Sequence, residues 1–172
     1  MENSPSTAKI GLKWGFIVGL INVLIYTGIY VSGQVGNQVL GYLPLVVLIV
    51  GIVMAMRDYK NQNDTFMSFG QGLGIGTFTS AVAGLLGGIF TYVYMSFIDT
   101  TLMSKQLDVT RTEMEKQGLT PEQFDQTMAM TEKFMTPSAI FVISILMSLI
   151  IGFVASLIIS AVLRNNKPEM DF

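Results

Sequence analysis

Four long stretches of this chain carry no charged residue, and they limit what it can fold into more than any other feature. They run from about residue 14 to 31, 39 to 56, 69 to 98 and 137 to 163. A bilayer core of ~30 Å takes ~20 helical residues to cross, and each stretch is close to or beyond that length. The stretches are continuously apolar rather than alternating, so membrane strands do not fit. A backbone surrounded by lipid must satisfy its own hydrogen bonds, which leaves helices. The expectation is an all-α, polytopic membrane protein: one integral domain over 1–172, with four transmembrane helices. An extramembrane helical hairpin over about 99–136 would lie between helices three and four.

Details at the ends of the stretches fit this reading. Pro44 lies near the start of the second, where a missing N–H is best tolerated. The third is longer than a perpendicular crossing needs, which implies tilt or an interfacial first turn. Lys9 and Lys13 precede the first stretch as a signal peptide's basic region would. That run is long, however, and ends in Tyr26, Tyr30 and Ser32 without a small-x-small cleavage site, so a retained first helix is expected.

Composition then excludes several chemistries. Charged residues make up 13% of the chain, about half the ~25% of an average soluble domain. Cysteine and histidine are both absent, which removes disulfides, thiolate nucleophiles, the commonest general base and the commonest metal ligand. A net charge of -2 offers no basic face for nucleic acid. No cofactor and no enzymatic activity are expected, and the bilayer itself is the first partner.

Lysine and arginine near helix ends set orientation. With four crossings, Lys9, Lys13, Arg57, Lys60, Arg164 and Lys167 fall on one side. The other side has the uncharged loop 32–38 and the long connection. That connection holds Lys105, Arg111, Lys116 and Lys133 against seven acids: Asp99, Asp108, Glu113, Glu115, Glu122, Asp125 and Glu132. Both termini are therefore expected in the cytoplasm, with the acidic connection outside an inner membrane.

Small residues recur at every fourth position. The first helix has Gly11, Gly15 and Gly19. The third has Gly72, Gly76, Ser80, Gly84 and Gly88, with Gly70 and Gly74 starting a neighbouring row. The fourth has Ser144, Ser148, Gly152, Ser156 and Ser160. A period of four draws a nearly continuous ridge along one helix face. Such ridges let backbones approach closely, and their serines can bond across the gap. The expected role is helix packing, with helices three and four ridge to ridge and helix one joining; the other reading is the lining of a substrate or ion path. Among polar residues nearest the interior, Asn22 and Gln71 stand out beside Tyr26, Thr77, Thr79 and Tyr92. An amide such as Asn22 needs a partner in hydrocarbon, and interhelical bonding is expected over ligand binding.

The connection 99–136 is too long for a structureless loop. Met103, Leu107, Thr110 and Met114 keep helical spacing, and Gly118 is a natural stop. Thr120-Pro121-Glu122-Gln123 reads as an N-cap, a first-turn proline and a capping-box glutamine. Phe124, Met128, Thr131 and Met135 continue one face. The methionines 103, 114, 128, 130 and 135 either pack the hairpin on itself or against the lipid interface, or offer an adaptable partner surface. The acids read as a solvated face. The crowded segment Arg57 to Asp64 reads as a solvated turn and matches neither a calcium loop nor a phosphate loop. Gly70, Gly72, Gly74 and Gly76 follow no strand and are not a nucleotide loop.

Several segments carry a family resemblance: Asp58-Tyr59-Lys60, Met67-Ser68-Phe69-Gly70-Gln71-Gly72, Tyr92 to Ile98-Asp99, and Glu132-Lys133-Phe134-Met135-Thr136-Pro137. With them, nearly the whole chain resembles the bacterial domain-of-unknown-function family four-one-nine-nine, small four-helix membrane proteins. Where that family's pattern has proline after the aspartate, this chain has Thr100. The resemblance implies no activity, substrate, cofactor or site residue. Two functions therefore stay open. One is a structural or accessory membrane protein that presents the hairpin to another membrane protein or to its own copies. The other is a small permease or channel with a path between helices or protomers.

Overall fold

A computed structural model describes residues 5–116 and 118–166; Lys167, counted above among the topogenic bases, lies outside the described residues. Helix α1 spans Thr7–Val31 and starts on Ser6, whose hydroxyl accepts from Lys9 N–H. A short α2, Gln38–Gly41, precedes α3, Leu43–Gln62. The restart between them follows from Pro44 in the first turn of α3, because its ring cannot continue a preceding helix. Helix α4 runs Phe69–Val93 and continues through one π turn, Tyr94–Ile98. Next come α5, Leu102–Lys116, and α6, Pro121–Phe134, separated by a turn in which Gly118 has φ +67°. Helix α7, Pro137–Leu163, starts on the hydroxyl of Thr136.

Four spans are long and apolar enough to cross a membrane: Thr7–Val31, Gln38–Gln62, Phe69–Ile98 and Pro137–Leu163. Their outward faces are covered with exposed large side chains, among them Leu24 at 71% and Val162 at 77% exposure. A soluble fold does not leave so much contiguous apolar surface in water, so the solvent these faces match is lipid. The chain is a membrane protein by this test.

Helix α4 is the centre of the bundle and touches α1, α3 and α7. The core reflects this: Ile10, Val18, Leu48, Ile52, Ala55, Met56, Tyr59, Met67, Ile75 and Ala83 form one buried cluster drawn from three helices and the α3–α4 turn. A second cluster of Tyr94, Met95 and Leu102 sits where α4 passes into α5, with Tyr30 and Phe90 stacked beside it. This aromatic group suits an interfacial level, where ring bodies face apolar neighbours and hydroxyls can bond: Tyr30 Oη lies 3.5 Å from Thr91 Oγ1.

The segment read as a solvated turn is different. Residues 57–62 belong to α3, because neither glycine nor proline interrupts them, and Tyr59 is only 1% exposed. The turn comes later, at 63–68, with Asp64 and Thr65 at φ 48° and 70°. A β-branched residue at positive φ is unusual, and here the surroundings hold it. Asn165 Nδ2 donates to Thr65 O, and Met67 and Asn165 exchange backbone bonds of 2.8 and 2.9 Å.

Candidate functional site

The small residues of α4 and α7 meet in one antiparallel seam. A methyl group added to Gly72 would lie 2.6 Å from Ser160 Oγ, one on Gly84 2.5 Å from Ser148 Cβ, and one on Gly88 2.8 Å from Ser144 Oγ. At Gly76 it would overlap Ser156, and at Gly152 it would overlap Ser80. Each step of four along α4 is matched by a step of four back along α7, so all ten positions are used. A side chain larger than serine cannot occupy this seam without separating the backbones.

Helix α1 meets the other side of α4 in a parallel arrangement and by a different rule. Gly11, Gly15 and Gly19 each receive a large α4 side chain: Phe78, Val82 and Leu86 respectively. Here glycines form a groove and a row of large residues, also at period four, fills it. Helix α3 is keyed in by Gly51, whose missing side chain is replaced by Val18, and by Ile52, which reaches Gly76 beside Ser156. Sequence reading passes over Gly51 because a lone glycine makes no row.

The hydroxyls in the seam are already used. Ser80 donates to Gly76 O and Thr77 O at 2.9 Å, Ser156 to Gly152 O, Ser144 to Phe141 O, and neighbouring Thr79 to Ile75 O. Bonding back to the same helix is the usual recourse of serine and threonine in apolar surroundings. One bond crosses the seam: Ser148 Oγ donates to Ser80 O at 2.8 Å. Such bonds add only ~0.6 kcal/mol on average in membranes. Close backbone packing therefore holds the two helices together more than hydrogen bonding does, and the seam offers no row of free hydroxyls to a passing solute.

Gln71 proves to be a capping residue rather than an interior polar group. It occupies the first turn of α4, where its Oε1 accepts from Ser68 N–H and its own N–H donates to Ser68 Oγ. Ser68-x-x-Gln71 is a capping box that the sequence displays openly. Asn22, by contrast, is interior, at 8% exposure. Its Nδ2 donates to Pro44 O at 3.4 Å, while its Oδ1 has no partner among the described residues; Thr77 Oγ1 is the other such buried atom.

The end of the bundle that carries Lys9, Lys13, Arg57, Lys60 and Arg164 is tied together by polar contacts. Asp58 Oδ2 accepts from Lys13 Nζ and from Trp14 Nε1, both at 2.8 Å, and Asp58 Oδ1 accepts from Gln62. Lys60 Nζ donates to Leu163 O at 3.0 Å, closing the last turn of α7 where a cation is favoured. The opposite end carries α5 and α6. Asp99 marks the entry to α5, and hydrogen bonds from Thr101 and then Lys105 hold its carboxyl below the ordinary carboxylate range. Leu102 is buried against the bundle, and Val109 rests on Gly36. Of the methionines, Met128 is covered and Met130 is 63% exposed. Among the described residues no three His, Cys, Asp or Glu side chains are grouped to hold a metal.

A family model described as "Protein of unknown function (DUF4199)" matches residues 13–165. The chain belongs to this DUF4199 family. The match takes in Gly15 and Gly19 of the α1 groove, the whole α4–α7 seam and the Met67–Asn165 clasp, while Gly11 lies just before it. No curated protein and no solved structure matches the chain.

Proposed function

We propose that this DUF4199 protein is a non-enzymatic structural or accessory protein of a bacterial inner membrane. Its bundle is a rigid mount, and the α5–α6 pair is its interaction surface. The observation that carries the reading is the contrast between the two parts. The bundle spends its small residues and hydroxyls on internal packing. Helices α5 and α6 pack on each other and leave Met130 and Phe134, at 63% and 59% exposure, among charged neighbours. The fitting partner is another membrane protein or a second copy, and nucleic acid is not one. Both termini are cytoplasmic in this reading, with α5–α6 outside, because five described bases share the end opposite to α5–α6.

A second reading, a small permease, has one observation in its favour: a cavity between the helices. The two readings separate on purification. Extraction from native membranes in mild detergent is expected to recover a stoichiometric membrane-protein partner, or a homo-oligomer that passes no solute in liposomes. A pure homo-oligomer that does pass solute would replace the first reading by the second. A C-terminal alkaline phosphatase fusion is expected to be inactive, and an active one would reverse the orientation.

A further inference from the structure

The cavity is a cleft between the start of α3 and α7, floored by α4 and α1, with a volume of about 240 Å³. Its walls take in residues between 41 and 48, 83 and 91, and 144 and 151, so it extends ~10–12 Å along the helices. The space exists because facing residues are small: Ala83, Gly84, Gly87 and Gly88 on α4, and Ser144 and Ser148 on α7. Towards the α3 C-terminus it is blind, since Ile52 reaches Gly76 beside Ser156 and draws three helices together. Exposed Gly41 and Met147 stand at its rim, beside exposed Tyr42 and Leu146. The mouth therefore opens sideways, among the faces that match lipid.

No lysine, arginine, aspartate or glutamate lines the cleft, and a charge inside it would have no partner. Its polar side chains are mostly bonded already. Ser144 and Ser148 donate to backbone carbonyls, Asn22 Nδ2 donates to Pro44 O, and Thr91 pairs with Tyr30. Asn22 Oδ1 is buried away from the space. Only the Tyr26 hydroxyl is left in the wall without a partner among the described residues. A water needs two to four polar partners, so water suits the cleft poorly. Hydrocarbon needs none, and in a void it restores the dispersion contacts that the walls lack. Lipid already covers the mouth, so its chains are the hydrocarbon at hand. An engineered cavity of ~150 Å³ in another protein takes up benzene; on that scale this one holds about ten carbons, and its length suits a row of them rather than a ring. We infer that the cleft binds one acyl chain of a bilayer phospholipid, from the leaflet on the α5–α6 side, laid lengthwise between α3 and α7. This holds whether or not α5–α6 engages a partner, and a blind cleft filled in this way offers no path to a solute.

The test uses the full chain in phosphatidylcholine nanodiscs doped with a phosphatidylcholine that carries a diazirine along one acyl chain. Irradiation is followed by mass-spectrometric mapping of labelled residues. Labels are expected on exposed Leu146 and Ile150, which any lipid reaches, and also on buried Leu48 and Ala83 inside the cleft. Gly87→Leu fills the cleft: a methyl group there meets only Tyr26 Cε2, at an ordinary 3.6 Å, so the larger side chain has room to enter. In that variant the labels on Leu48 and Ala83 should fall to background while those on Leu146 and Ile150 persist. Its melting temperature in detergent should be unchanged or raised, because a void has been filled. Should Gly87→Leu fail to fold, Leu45→Trp at the cleft wall is expected to give the same selective loss. A parent chain labelled only on its exposed faces, or undiminished labelling of Leu48 and Ala83 in a folded, filled variant, would overturn the inference.

Discussion

Gly76→Leu is expected to lower the melting temperature of the purified chain by about 6–12 °C. Overpacking a close contact costs roughly 3 kcal/mol, and a chain of this size loses ~2–4 °C per kcal/mol. Even a methyl group at Gly76 would overlap Ser156 and come within 3.0 Å of Ile52 Cγ2, so three helices would have to part. Gly74→Leu supplies the control two residues away. Nothing lies within 4 Å of a side chain there, and the position faces outward. That variant is expected to melt like the parent or slightly above it, because glycine in a helix interior is itself unfavourable by ~0.5–1 kcal/mol. Thermal unfolding of both in one detergent checks the pair; equal losses would mean that lipid-facing and seam glycines are equivalent, which the packing denies.

Gly15→Leu should be at least as damaging, for a reason that no rotamer change can relieve. A methyl group there would lie 2.6 Å from Val82 Cβ and 2.8 Å from Thr79 O, and the second is a backbone atom of α4. Helix α1 must therefore move as a body. Gly28→Leu on the same helix has open space and should be neutral. The chain's single tryptophan, Trp14, reports the displacement, since its indole is bonded to Asp58 only while α1 is docked on α3. Its emission is expected to shift to longer wavelength in Gly15→Leu and to stay in place in Gly28→Leu.

How much of this is legible in the sequence depends on which physics set each feature. The four spans and the period-four rows are written plainly, because lipid forces helices and close helices force small residues into rows. The register is not. A row of period four fits its partner equally well at any offset of four, and the choice rests on keys such as Ile52 against Gly76 and Val18 against Gly51. Those keys pair residues far apart in the chain, and an isolated glycine gives no warning of its role. Charge density suggests a turn at 57–64, yet a helix continues until something stops it, and here that is Asn63. Gln71 looks interior from the apolar residues after it, whereas the Ser68 cap fixes it at the helix start. Asn22 could be singled out as an amide in an apolar run. That one of its two polar atoms is left buried without a partner depends on where Pro44 falls, which only the fold decides.

The seam between α4 and α7 organises the whole bundle, and the absence of native cysteine makes it directly testable by disulfide cross-linking. Gly88 and Ser144 face each other across α4 and α7; Gly88 and Ser148 are one turn out of register. In membranes, Gly88→Cys with Ser144→Cys should form an intramolecular disulfide under mild oxidation, shown by the two halves staying joined after cleavage between α5 and α6. Gly88→Cys with Ser148→Cys should stay reduced. An efficient out-of-register bond, or a disulfide-linked dimer in place of the intramolecular product, would contradict the seam and assign these ridges to contacts between copies instead.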